Sequence, residues 1–274
     1  MQIFRPRTTP EQKQATVRAA LARYGLEVEE VNIVEHTNGR SLKRVRNSIN
    51  GASKTGKISG FVTAALNAIL PLPTGFTNPY TGTVHVQRKT GVTIRLHEIV
   101  HGYDLTKTEI GKLMSTVIMH ENSISLRHPV EFVRFKIEEI RLRTILEGRA
   151  KFCEKLAGRD KEFSTFERLK FKISANGEAS LFILVGLVTL DKFIEIFQNR
   201  NPIWIGMTLL TGGLSLWITT MLAPYVQGMW FMEKINQKVK DTKEVLRITA
   251  ERPPTAREMF LSPNVYLRRV LHQE

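Results

Sequence analysis

The chain has 274 residues, enough for one large domain or two smaller ones, and this length rules out a small module stapled by disulfides. Forty Lys and Arg against 26 Asp and Glu leave a net charge of +14, which indicates an anionic partner: a membrane surface, an acidic substrate or nucleic acid. The single cysteine, Cys153, excludes an internal disulfide framework and any metal site that needs several cysteine ligands. Any metal ion must therefore be bound by histidine and carboxylate side chains.

The N-terminal residues contain no charged leader followed by an apolar run and a small-residue cleavage site. We therefore expect no secretory signal and a chain that starts in the cytosol. Thr9-Pro10-Glu11, followed by apolar residues at helical spacing, predicts a capped amphipathic helix that ends at Gly25. Residues 28–34 then predict a short strand.

Between His36 and His97 the chain contains no Asp or Glu, and we call these residues the acid-free segment. We expect it to lie against anionic lipid headgroups or to attract acidic substrates, with nucleic acid as the third choice of partner. Within it, residues 58–72 predict a buried helix and residues 83–87 predict a strand. Its nine positive residues are Arg40, Lys43, Arg44, Arg46, Lys54, Lys57, Arg88, Lys89 and Arg95.

Helical periodicity dominates the rest of the chain. It predicts helices at residues 92–105, 107–120 and 129–156, the second of them behind a capping box formed by Thr106 and Glu109. A further charged helix is expected from Glu233 to about Thr249, where Pro253-Pro254 ends it.

The strongest short signal is His97-Glu98-Ile99-Val100-His101. Residues four apart share one face of a helix, so both imidazoles can bind one Zn²⁺, while Glu98 can act as general base on a metal-bound water. The alternative is an ordinary amphipathic helix with three solvated polar side chains. The strand predicted at 83–87 favours the zinc site, because a zinc peptidase needs a sheet edge that pairs with extended substrate.

A hydrolytic zinc site needs a third protein ligand and one open position for water. On a helical wheel of residues 129–156, Glu147 lies on a narrow stripe with Val130, Val133, Ile137, Ile140 and Thr144. A carboxylate on an apolar face is unfavourable unless it is paired or binds a metal, and Gly148 beside it allows another helix to approach closely. Glu147 is therefore the favoured third ligand, against the alternative of an ordinary Glu near a helix end.

HEIVH, followed by ILEGRAKFCE in the predicted helix 129–156, resembles the HExxH and EGxA pair of the gluzincin peptidases, particularly their peptidase-MA-like group. FTNPYTGTVHV and PYVQGMWF resemble a strand and a PYxxGxxF segment of that group, so the resemblance covers roughly residues 76–232. It implies zinc binding by His97, His101 and Glu147. It also implies that Glu98 is the general base and that Tyr225 stabilises the oxyanion, although a Tyr in such a place is more often an interfacial or core residue.

Other residues compete for some of these roles. Glu121 lies 20 positions after His101, where thermolysin-like enzymes have their third ligand, and it is the second choice here. Lys107 occupies the position of the third metzincin histidine, which excludes that pattern. Asp104 either fixes the tautomer of a ligand imidazole or is a plain helix-end residue. The remaining histidines are expected to be structural or surface residues, and Cys153 is expected to be a small buried apolar residue.

Two apolar segments predict a helical hairpin in a membrane, with spans at residues 179–198 and 203–223. Residues 201–232 contain no charge or histidine over 32 positions, which is long enough to cross a bilayer. Residues 151–178 and 233–274 are net basic while the connecting loop is balanced, so the positive-inside rule predicts that the catalytic domain lies on the cytosolic side. The alternative is that both segments are buried helices of a soluble cytoplasmic protein.

The expected fold is mainly α with a small β element: an α+β zincin-like catalytic domain followed by the two-helix transmembrane hairpin. The expected regions are a basic N-terminal region (1–75), a catalytic core (76–175), the apolar hairpin (176–232) and a charged C-terminal helix and tail (233–274). The expected function is zinc-dependent hydrolysis of a peptide or protein substrate through a metal-activated water. The competing hypothesis is a non-enzymatic basic protein that binds membrane or nucleic acid and contains HEIVH by chance. The sequence sets no oligomeric state.

Overall fold

The computed structural model describes residues 9–51, 74–121, 129–198 and 222–271. The fold is mainly helical and contains a small three-stranded sheet, which confirms the expected combination of helices with a minor β element. The helix predicted at residues 58–72 lies outside the described residues.

The N-terminal helix α1 (Pro10–Arg23) begins as its sequence predicts. Thr9 caps it, and the side chain of Gln12 completes the capping box. The strand predicted at 28–34 is displaced, because strand β1 covers Ile33–His36. The carbonyl oxygens of Val28, Glu29 and Val31 accept hydrogen bonds from the guanidinium of Arg18 instead of from a neighbouring strand.

The sheet has the strand order β1–β3–β2, where β2 is Gly75–Thr77 and β3 is Val84–Gln87. Strand β3 runs parallel to β1 and antiparallel to β2. The expectation that residues 83–87 form an edge strand is wrong, because β3 is paired on both sides. Its Val84 and Val86 are fully buried, so the central place follows from the apolar face of this strand. The N-terminal region and the catalytic core thus contribute to one sheet.

Helix α2 (Gly39–Gly51) contacts β1 and β3, and helix α3 (Val92–Lys107) contacts β2 and β3. Helix α4 covers Glu109–Glu121. The predicted capping box with Thr106 is wrong, since its hydroxyl donates to Gly102 O within α3 at 2.7 Å. Thr108 takes the capping role, and its Oγ1 accepts from Gly111 N at 3.4 Å.

Two long helices follow, α5 (Pro129–Ala157) and α6 (Thr165–Gln198). Helix α5 packs against α3, α4 and α6. The first predicted membrane span, 179–198, is the C-terminal part of α6, and most of the second, 203–223, lies outside the described residues. Among the helices that the structure describes, none combines the length and apolar character that crossing a bilayer requires.

The C-terminal region is a series of shorter helices rather than one. Helix α7 comprises residues 222–239, and the chain then breaks at Lys240, which has a φ of 59°. Asp241 caps helix α8 (Thr242–Glu251) by accepting from the backbone of Lys243 and Glu244. The single helix predicted from Glu233 to Thr249 is therefore two helices. Helices α9 (Ala256–Phe260) and α10 (Pro263–Leu271) complete the described chain.

Candidate metal centre

Two packed helices carry the predicted ligands. Helix α3 buries Leu96, Ile99 and Val100 in the core. His97 and His101, one turn apart, occupy the neighbouring face, where α5 presents Glu147. The structure thus brings together the three residues that the sequence analysis selected. His101 and Glu147 are 46 positions apart in the chain.

The geometry of the three side chains fits a metal ion. Nε2 of His97 lies 3.0 Å from Nε2 of His101, and Oε2 of Glu147 lies 3.2 Å from each of these nitrogens. Ligand atoms about 2.0–2.1 Å from a tetrahedral zinc ion are separated by about 3.3 Å. Two imidazoles and one carboxylate are also the donor set of many catalytic zinc sites. His97, His101 and Glu147 could therefore hold a metal ion.

Burial and charge make these side chains interdependent. Burial favours the neutral form of the Glu147 carboxyl, but His101 and His97 outweigh that effect and hold its pKa well below the usual range. Burial likewise disfavours protonated His97, but Glu147 and Glu154 outweigh it and raise its pKa to about 10. Without a metal ion, a proton on His97 balances part of the carboxylate charge, and a metal ion would take over that role.

Glu154 is a site residue that the sequence analysis missed. Its Oε1 accepts a hydrogen bond from Nδ1 of His97 at 2.7 Å, and it is almost fully buried. This contact places the Nδ1 proton toward Glu154 and directs Nε2 toward Glu147 and His101. The sequence spacing could have predicted this residue. Glu154 follows Glu147 by seven residues, which is two helical turns, so both carboxylates lie on the same face of the helix.

Lys151 forms a buried ion pair with Glu154. Its Nζ lies 3.3 and 3.1 Å from the two carboxylate oxygens of Glu154, and it donates to both the carbonyl and the hydroxyl of Ser174 on α6. Its ammonium also lies 5.9 Å from the centroid of the Tyr225 ring on α7. Lys151 therefore links α5, α6 and α7 next to the candidate metal centre.

Glu98 is held beside the cluster by the edge strand β2. The hydroxyl of Thr77 contacts Oε2 of Glu98 at 2.8 Å and its backbone oxygen at 3.0 Å. Gly75 on the same strand packs so closely that an added Cβ would lie 3.2 Å from Cγ of Glu98. Strand β2 therefore fixes the side chain of the predicted general base.

Asp104 has a structural role and does not orient a ligand. It is fully buried, and Nε and Nη2 of Arg149 donate to its two carboxylate oxygens at 2.9 and 2.8 Å. Arg149 also donates to Thr249, so this pair connects α3, α5 and α8. The proposed contact between Asp104 and a ligand imidazole is wrong; Glu154 makes it instead.

Gly148 allows a close helix crossing, as the sequence predicts. A Cβ on Gly148 would lie 2.4 Å from the carbonyl carbon of Gly228 on α7, and a Cβ on Gly228 would lie 2.1 Å from Thr144 O. The backbones of α5 and α7 therefore touch next to Glu147. Tyr225, one turn before Gly228, is half-buried, and its ring centroid lies 5.9 Å from Nζ of the buried Lys151.

The remaining candidates are placed as follows. Glu121 is the last residue of α4, and its side chain lies outside the described part of the chain. Cys153 is fully buried, and burial raises the pKa of its thiol, in agreement with a structural role. His36 on β1 and His85 on β3 contact each other through Nε2 and Nδ1 at 3.0 Å.

Comparison with protein-family models, with curated proteins and with solved structures finds no match to this chain. The resemblance to the gluzincins therefore rests on the sequence motifs alone.

Proposed function

We propose that the protein is a zinc-dependent metallopeptidase of the gluzincin type. The observation that carries this proposal is the convergence of two histidine nitrogens and one carboxylate oxygen to within 3.0–3.2 Å; Glu98 follows the first of these histidines in the chain. Separate helices contribute these atoms, so the cluster does not follow from helical periodicity alone.

In this proposal His97, His101 and Glu147 hold the ion, and Glu154 keeps His97 in the tautomer that binds through Nε2. When bound, a zinc ion supplies a Lewis acid that polarises a carbonyl and acidifies a water molecule. The carboxylate of Glu98 would accept a proton from water as the water oxygen attacks the carbonyl carbon, and would pass that proton to the amine as the C–N bond breaks. The hydroxyl of Thr77 lies 2.8 Å from Oε2 of Glu98 and restrains its carboxylate.

The sheet edge favours a peptide as substrate. Among the described residues, β2 pairs only with β3, so its other edge can add an extended chain by backbone hydrogen bonds. Because Gly75 and Thr77 contact Glu98, a peptide on that edge would pass directly beside the general base. The edge that we assign to substrate is thus β2 rather than β3.

Tyr225 keeps its proposed role as stabiliser of the oxyanion. The position of Tyr225 supports this role. It lies on α7 near the crossing of α5 and α7, and its ring centroid is 5.9 Å from Nζ of Lys151. Replacement by Phe removes the hydroxyl alone, so a lower kcat with unchanged zinc content is expected.

Metal analysis of the purified protein is the first test. Stoichiometric zinc supports the proposal, and no zinc after expression in metal-replete medium contradicts it and favours the non-enzymatic alternative. Protein loaded with zinc should then hydrolyse a mixed peptide library, with the Glu98→Gln protein as the matched inactive control.

For location, we propose attachment to an anionic membrane with the catalytic residues on the cytosolic side. The acid-free character of α2 supports this, since the helix carries four basic residues and no carboxylate to repel lipid headgroups. The two-helix hairpin expected at 179–198 and 203–223 is not part of this proposal, because its first segment belongs to α6 and none of the described helices has the length and apolar character of a membrane span. Replacing Arg40, Lys43, Arg44 and Arg46 by Gln should reduce sedimentation with vesicles of phosphatidylserine and phosphatidylcholine; unchanged sedimentation would contradict the role of α2.

A further inference from the structure

A chain of three polar side chains lies where helix α2 meets the sheet. Oγ of Ser41 on α2 is 3.1 Å from Nδ1 of His36, and Nε2 of His36 is 3.0 Å from Nδ1 of His85 on β3. A hydroxyl, an imidazole beside it and a third group that orients the imidazole are the parts of a nucleophilic triad. Such a triad is recognised by geometry and not by the order of its residues in the chain, and we call these three residues the Ser41 triad.

The two imidazoles are held firmly, whereas the hydroxyl is accessible. His85 lies on the face of the sheet opposite to the two buried valines of β3. Its ring stacks on that of Phe76 in β2, with 4.8 Å between the centroids and 12° between the ring planes. His36 and His85 are both about nine-tenths buried, but Ser41 is partly exposed. A substrate can therefore reach the hydroxyl while the imidazoles stay in place.

One tautomer of His36 fits both contacts. With its proton on Nε2, His36 donates to Nδ1 of His85, and its own Nδ1 is free to accept the hydroxyl proton of Ser41. Burial, followed by the effect of His36, lowers the pKa of His85, so this imidazole stays neutral and remains an acceptor. Glu35 precedes His36 on β1 and points to the opposite face, where it binds Arg95. The orienting group of the triad is thus an imidazole and not a carboxylate.

From this geometry we infer a second activity that needs no metal: hydrolysis of carboxylic esters, with Ser41 as nucleophile, His36 as general base and His85 as the residue that positions the base. Oγ of Ser41 attacks the acyl carbon while its proton passes to Nδ1 of His36, and that proton goes to the alcohol as the ester C–O bond breaks. Water then attacks the acyl group on Ser41 and gives a proton to His36. The acid leaves as the proton returns to Oγ, so one ester and one water yield one acid and one alcohol.

The surroundings of Ser41 favour an anionic ester. Ser41 is the third residue of α2, and the first turn of a helix has N–H groups without intrahelical acceptors and the positive end of the helix dipole. Arg40 precedes Ser41, and Arg44 lies one turn further along the same side of the helix. Positive groups at this place stabilise the negative charge that develops on the carbonyl oxygen. They also attract a substrate that carries a negative charge near the ester bond.

Covalent labelling tests the nucleophile directly. A fluorophosphonate probe reacts with an activated serine by forming an O–P bond and releasing fluoride, so the measurement needs no turnover. The full-length protein is labelled in the presence of a metal chelator, and peptide mass spectrometry locates the label. Ser41→Ala removes the nucleophile. Ser48→Ala is the matched control, because Ser48 is exposed and lies two turns further along the same face of α2.

We expect one label on Ser41, no label on the Ser41→Ala protein and unchanged labelling of the Ser48→Ala protein. His36→Ala should slow labelling by about 10²-fold or more, since the base is lost. His85→Ala should slow it about tenfold, and His85→Asn, which keeps an acceptor, should slow it less. An unlabelled native protein, equal labelling of the Ser41→Ala protein, or labelling that the chelator abolishes would overturn the inference.

Two acetate esters test the substrate class. One is para-nitrophenyl acetate, and the other is an acetoxy-nitrobenzoate, whose leaving group carries a carboxylate. The part of kcat/KM that depends on Ser41 should be about tenfold higher for the anionic ester, and added salt should reduce this difference. Equal values for the two esters would overturn the assigned class. Because metal is chelated throughout, neither result depends on the zinc-dependent activity proposed above.

Discussion

Glu154 accepts a hydrogen bond from Nδ1 of His97 at 2.7 Å, while Glu147, two turns earlier on the same helix, lies 3.2 Å from Nε2 of that imidazole. One histidine of α3 is therefore held at both ring nitrogens by carboxylates of α5. This arrangement fixes the rotation of the ring before any ion binds, and it keeps the remaining proton on Nδ1 once Nε2 has lost its own. Helix α5 consequently supplies a ligand and also orients another one.

Replacing Glu154 by Ala should lower zinc affinity about 10- to 100-fold, because His97 loses the acceptor that fixes its tautomer. Glu154→Gln keeps an acceptor of similar size and should lose less. A chelating dye that competes for zinc measures both affinities, and Glu162→Gln on the exposed α5–α6 connection is the control. Folded Glu154→Ala protein with normal zinc affinity would contradict the assignment.

Glu147→Ala should remove most bound zinc, since it leaves only the two histidines. Glu121→Ala should leave zinc content unchanged. Parallel metal analysis of the two variants decides between the two third ligands that the sequence left open. Full zinc in Glu147→Ala, together with loss in Glu121→Ala, would reverse the assignment.

Thr77→Val replaces a hydroxyl by a methyl group in the edge strand and should lower kcat about tenfold, because Glu98 loses the hydrogen bond that positions it. Zinc content should not change. Glu98→Gln should lower kcat by about 10²- to 10⁴-fold with zinc retained. If Thr77→Val raised KM and left kcat unchanged, Thr77 would act on substrate binding and not on the base.

Zinc binding should release about one proton near neutral pH. The pKa of His97 is about 10 without metal, so the imidazole is protonated at pH 7, and a metal ion must displace that proton. Zinc affinity should therefore increase as the pH rises toward that pKa. Calorimetric titrations in buffers of different ionisation enthalpy measure the released proton, and a binding enthalpy independent of buffer would contradict this prediction.

Gly148→Ala should lower the free energy of unfolding by about 1–3 kcal/mol, because its Cβ would overlap the backbone of Gly228. Zinc affinity should fall with it, since Glu147 is the adjacent residue. Gly177→Ala on α6 is the matched control: no atom lies within 4 Å of its Cβ position, and the substitution should be stabilising by about 0.5–1 kcal/mol. Denaturant unfolding measures both, and equal effects would contradict the close crossing.

Local patterns were sufficient for part of the site. The i, i+4 spacing of His97 and His101 places both rings on one face of any helix, and the 3.6-residue period puts Glu147 on a defined face of α5. Both relationships hold within one element, so they could be predicted without knowing how the helices pack. The seven-residue spacing of Glu147 and Glu154 likewise places both side chains on one face of α5.

The sequence by itself therefore determined the helices that carry the candidate ligands, the face on which each ligand lies and the acid-free segment. Only the tertiary structure decided what lies opposite each face. It paired Asp104 with Arg149, placed β3 at the centre of the sheet, and left Val130 to Ile140 exposed although their spacing predicts a buried face. The physical reason is that periodicity specifies which side chains point the same way, whereas the neighbour they meet depends on long-range packing between distant parts of the chain.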